Sequence, residues 1–194
     1  KKCNELLGAN YDRDFIKFTN EVKKLANIKY VLKPKILKIQ ADPKKIIKAI
    51  FGHLLAAKNH FGNTIPDEWM RNYLINDNLE TLRKLNVSYW FYPYNATIIV
   101  RDLVMPEIRG KFDKVAMLSL LKFFPIAYMV TEGKKYDKNF GFLNNLTGAK
   151  EIPINFEFYR EEDWPERVDK ENIIFFGEEI NSSVIAKLRT RSEF

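Results

Sequence analysis

The chain of 194 residues has one cysteine, Cys3, and two histidines, His53 and His60. One thiol excludes an internal disulfide framework and any zinc site built from this chain's own cysteines. The histidines are seven positions apart. On one helix they would lie two turns distant, too far to ligate a single ion. Long apolar runs are also missing. The longest apolar region, Val115 to Val130, is broken by Ser119, Lys122 and Pro125, whereas a bilayer span needs roughly 20 predominantly apolar residues. No signal-peptide pattern, phosphate-binding glycine loop, serine elbow, dinucleotide fingerprint, internal repeat or low-complexity tract is visible. The expectation is a cytoplasmic protein that does not engage a membrane.

What is present suits a globular core. Hydrophobic residues make up 46% and charged residues 29%, with 15 Phe and 9 Tyr, so a chain this long buries a core without covalent staples. The formal net charge is +7. Lys and Arg outnumber Asp and Glu from Lys1 to Arg71, while Glu151 to Glu179 is acidic. A basic first half permits contact with nucleic acid, because phosphate neutralisation is the sequence-independent part of such binding.

Apolar periodicity predicts a helix over Tyr11 to Asn27, with Phe15, Phe18, Val22 and Leu25 on one stripe. Two short strands are expected at Lys29–Leu32 and Lys35–Gln40, separated by Lys33-Pro34. Asp42-Pro43 opens a second helix, since Asp accepts from free N–H groups and Pro fits the first helical position. Thr64 caps a third, running to about Leu74, and a short helix follows near Asn78 to Leu85. Val87–Tyr92 and Ala96–Asp102 are read as a hairpin across Pro93-Tyr94-Asn95. Val115–Leu121 and Ile126–Val130 form another pair, or one strand broken at Pro125, which suggests an edge or a bulge. Tyr136 to Lys150 reads as a loop of low regularity. Strands are expected at Ile154–Tyr159, Ile173–Phe176 and Ser183–Leu188, an acidic turn at Glu161–Glu166, and a loose tail from Arg189. The expected class is α+β: a mainly antiparallel sheet, with helices concentrated in the first half and packed over one face.

The first twelve residues carry a motif. Cys3-Asn4, Gly8 and Asp12 follow the spacing Cys-x-x-Cys-Asn-x-x-x-Gly-x-x-x-Asp, and the first Cys of that pattern would fall immediately before Lys1. This resembles the closing piece of an HNH endonuclease module. The resemblance implies that Cys3 is a structural zinc ligand, that Asn4 has a positioning role, and that Gly8 and Asp12 shape the turn into the next helix. It also implies a catalytic divalent metal and histidines upstream, outside this chain. Residues 1–12 would then be the remnant of that module, and 13–194 a single companion domain. No cofactor is expected in this chain, while zinc and a divalent metal are expected in the intact parent.

Within the companion domain, Lys33, Lys35, Lys38, Lys44, Lys45 and Lys48 cluster around a strand-to-helix junction and are candidate phosphate contacts. A solvated lysine face is the competing explanation. Tyr92 and Tyr94, with Tyr89 and Trp90, are candidates for stacking an unpaired base, against plain core packing. Asp102 followed by Glu107-Ile108-Arg109 fits a carboxylate nuclease pattern poorly. His53 reads as a core or edge histidine and His60 as part of a helix end. The expected function is a DNA-contacting or target-selecting companion domain of an HNH-type endonuclease, inactive on its own. The alternatives are a non-catalytic interaction or dimerisation domain, and a free-standing hydrolase using His53 or His60.

Overall fold

The computed structural model describes residues 11–32, 35–57, 64–94, 96–106, 115–133, 140–158 and 184–188. The class is α+β; among the described residues the strand pairings are antiparallel and the helices lie in the first half. The elements run α1 (Asp12–Leu32), β1 (Ile36–Gln40), α2 (Pro43–Ala56), α3 (Ile65–Asn76), α4 (Leu79–Arg83), β2 (Leu85–Phe91), β3 (Ala96–Pro106), β4 (Val115–Phe123), β5 (Ile126–Glu132), β6 (Gly141–Phe142), a 3-10 turn (Leu143–Leu146), β7 (Glu151–Asn155) and β8 (Val184–Leu188).

The helices begin where the caps predict. The Asp42 side chain accepts from the Lys44 N–H at 2.9 Å, with Pro43 in the first turn. Thr64 and Asp67 form a reciprocal capping box at the start of α3, which satisfies two of the free donors of a helix N-terminus. On α2, Ile46, Ile47, Ile50, Phe51 and Leu54 are all buried. On α1, Phe15, Phe18, Val22 and Ala26 form the buried stripe.

Six strands form one sheet in the order β6-β2-β5-β4-β3-β8, and β1 pairs with β7 in a second sheet of two strands. Leu85, Val87, Tyr89 and Phe91 of β2 join Ile126, Tyr128 and Val130 of β5 in the core that packs against α1, α2 and α3. Alternate residues, Trp90 and Tyr92 with Ala127, Met129, Ile98 and Val100, form a smaller apolar cluster on the opposite face. Both faces of the central strands are therefore covered, which explains why β2 and β5 are almost continuously buried rather than alternating.

Three expectations are corrected. Lys29–Leu32 continues α1 instead of forming a strand. β2 and β3 are not a hairpin: β2 lies between β5 and β6, and β3 between β4 and β8. The alternation of both segments suits any antiparallel partner, so proximity in sequence misleads. Pro125 marks neither an edge strand nor a bulge. It sits in the turn between β4 and β5, both interior strands, after a cis Phe124–Pro125 bond, and its carbonyl accepts from the Tyr92 N–H at 2.9 Å. The expected strand at Ile173–Phe176, the acidic turn at Glu161–Glu166 and the tail from Arg189 lie outside the described residues, as do Cys3, Asn4, Gly8, Lys33 and His60. Among the described residues no helix is long and apolar enough to cross a membrane.

Candidate nucleic-acid interface

The lysines singled out from sequence do not share one environment. Lys35 pairs with Glu157 at 3.3 Å and Lys38 with Glu151 at 3.9 Å, both across the β1–β7 sheet and exposed. Two glutamates of the acidic Glu151 to Glu179 segment thus fold back onto part of the basic first half. Lys45 donates to Asp14 of α1 at 2.8 Å, and that carboxylate raises the lysine's pKa above its ordinary value.

Lys48 is buried, at 6% exposed. Its ammonium lies 2.5 Å from Asp77, donates to the Tyr11 hydroxyl at 3.2 Å, and sits over the Tyr11 and Tyr73 rings. Burial pulls its pKa down, but the bonds to Asp77 and Tyr11 outweigh that, and the net shift is upward. Lys48 ties α2 to the end of α3 and does not present its charge to solvent.

Lys44 is different. It is exposed and lines an open cleft of about 520 Å³, together with Lys17 of α1 and Lys150 from the turn before β7. The β1–α2 junction sets one wall of the cleft, and Thr147–Lys150 sets another. The Ala41 N–H donates to the Lys150 carbonyl at 3.0 Å, fixing the two walls together. Two carboxylates also reach the cleft, and both are engaged. Asp14 accepts from Lys45, and Asp42 accepts from the α2 backbone. None of Lys17, Lys44 and Lys150 has a carboxylate in ion-pair distance among the described residues.

No family model, curated protein or solved structure matches the chain. The site rests on its own geometry.

Tyr92 is fully buried in the cluster on the far face of the sheet, and Tyr94 packs half-buried against it with ring centroids 5.3 Å apart. Lys122, itself buried, lies over the Trp90 and Tyr92 rings. Trp90 stacks on Phe140 at 4.9 Å. These aromatics are packed against one another, which is the core-packing alternative. Their faces are used within the fold.

His53 is an exposed residue in the last turn of α2, not a core one, 3.5 Å from an Asp12 carboxylate oxygen and beside the Phe15 ring. Asp102 is buried next to Arg101, whose guanidinium also binds Asp67. Glu107 and Arg109 lie outside the described residues. Among those residues no group of three or more His, Cys, Asp or Glu side chains is placed to hold a metal ion.

Sequence reasoning included Lys44 but missed Lys17 and Lys150. Lys17 lies off the apolar stripe of α1 and reads as a solvated residue. Lys150 is far along the chain, and only the β1–β7 pairing brings it beside Lys44.

Proposed function

We propose that this chain is the DNA-contacting companion domain of an HNH-type endonuclease, and that Lys17, Lys44 and Lys150 each contact a backbone phosphate. The carrying observation is the cleft, where three lysines without carboxylate partners line one open hollow. Lysine is a point charge suited to phosphate rather than to base edges. The Cys3-Asn4, Gly8 and Asp12 pattern supports the nuclease context, because α1 begins at Asp12, so a module ending there would lead straight into the helix that carries Lys17. In this reading the chemistry of cleavage, and the zinc and divalent metal it needs, belong to the upstream module. This chain supplies positioning.

Fluorescence anisotropy of the isolated chain with a labelled duplex tests the reading. Binding at low salt that weakens steeply as salt is raised supports it. Absence of binding at low salt removes it and leaves the interaction-domain alternative.

A further inference from the structure

Among the described residues nothing packs on one face of α1. Phe15, Phe18, Val22 and Ala26 face the core, which turns Arg13, Ile16, Lys17, Asn20, Lys24 and Asn27 outward, all exposed. Positions 13, 17, 20, 24 and 27 follow alternating four- and three-residue steps, so they form a single row along the helix. Glu21, beside this row, is bound by Lys24 at 2.7 Å. Lys17 belongs both to the row and to the cleft with Lys44 and Lys150.

The chemistry of the row selects its partner. A partner helix would need an apolar stripe, and Ile16, 56% exposed, is the one large apolar residue here. A single strand would need aromatic platforms, and the row holds none. Cations alternating with asparagines suit duplex DNA. Arg and Lys reach phosphates, and Asn pairs with the adenine edge in the major groove. The dimensions agree: Arg13 to Asn27 spans about 21 Å at 1.5 Å per residue, and a groove about 12 Å wide admits a helix.

We infer that α1 enters the major groove of duplex DNA, with Asn20 and Asn27 on base edges and Arg13 and Lys17 on the flanking phosphates. This deepens the companion-domain reading and rests on it. The cleft then lies at the groove rim, where Lys44 and Lys150 take phosphates next to the one that Lys17 contacts.

The test uses the full chain. A random duplex pool is selected for binding and sequenced, and affinity is compared on the enriched duplex, a scrambled duplex and the corresponding single strand. Enrichment of adenine-containing sites is expected, with duplex preferred over single strand. Asn20→Ala combined with Asn27→Ala should reduce the enriched-to-scrambled ratio about tenfold or more, leaving the salt dependence unchanged. Both residues are exposed, and circular dichroism confirms that the variant is folded. A pool without enrichment, equal or tighter binding of single strands, or an unaltered ratio in the double variant overturns the inference. If DNA is still bound through Lys17, Lys44 and Lys150 in those cases, the companion-domain reading survives. If no DNA is bound at all, both fail.

Discussion

Arg101 is the residue on which most buried charge depends. It is 1% exposed, lies on the helix-facing side of β3, and donates from one nitrogen to Asp67 at the start of α3 and to Asp102 at 3.3 Å. Its Nε and Nη1 are buried without a hydrogen-bond partner among the described residues. Asp102 has a positive φ of 54° at a register shift in β3, and its N–H is held by the Ser119 hydroxyl at 3.2 Å. The shift turns two consecutive charged residues inward, which a regular strand would not do. That is why the Arg101-Asp102 pair was not legible: period-two reading sends one of the two to each face. Replacing Arg101 by Met removes the guanidinium that two buried carboxylates share. It should destabilise the fold by about 3–5 kcal/mol, measured as a lower urea midpoint. A loss below about 1 kcal/mol would mean that the carboxylates are satisfied without it. Lys48 teaches the same lesson at the site. Its position near the α2 N-terminus read as surface, but the lysine stem fills core space while Asp77 holds its charged end.

At the level of elements, legibility followed the strength of local signals. Caps at Asp42 and Thr64 located two helices because capping is a local exchange of hydrogen bonds. Strand partners depend on distant residues, so the β2–β3 hairpin failed while the β4–β5 pair, joined at a proline turn, succeeded. The region 136–150 read as irregular, yet it carries β6 and the 3-10 turn. Asn144 anchors that turn by accepting from the Val87 N–H at 2.7 Å and donating to the Leu82 and Leu85 carbonyls. Gly141 of β6 lies against the Tyr89 ring so closely that a Cβ would overlap it. That ring in turn donates its hydroxyl to the Pro153 carbonyl of β7 at 2.8 Å, linking the two sheets. Gly141→Ala should displace Tyr89 and cost about 1–3 kcal/mol, as overpacking does. An unchanged urea midpoint would show that β6 shifts freely and does not position Tyr89.

For the molecule as a whole, the class was legible because helical periodicity dominates the first half and short apolar strands the second. The cleft was not, because Lys17, Lys44 and Lys150 come from three separated segments. The shared core also sets how stability responds to pH. Burial pushes the Tyr73 hydroxyl up to about 12 and raises those of Tyr89 and Tyr128 as well. A raised folded-state pKa means that the unfolded chain releases these protons first. The stability is therefore complete below the unfolded value of about 10 and is lost as pH rises toward the folded values. Lys48, also raised, acts in the same direction. The urea midpoint should hold steady to about pH 9.5 and fall between about pH 10 and 12, with tyrosinate absorbance rising cooperatively on unfolding. A flat midpoint across that window would contradict the burial of these hydroxyls.

The phosphate cleft is the central claim, and the salt dependence of duplex binding tests it most directly. The logarithm of the binding constant is plotted against the logarithm of salt concentration for the chain and for the variant carrying Lys17→Gln, Lys44→Gln and Lys150→Gln. If all three lysines neutralise phosphate, the slope becomes shallower by about 2.7, or 0.9 per contact. A variant that binds with the parent slope would place the DNA elsewhere on the molecule.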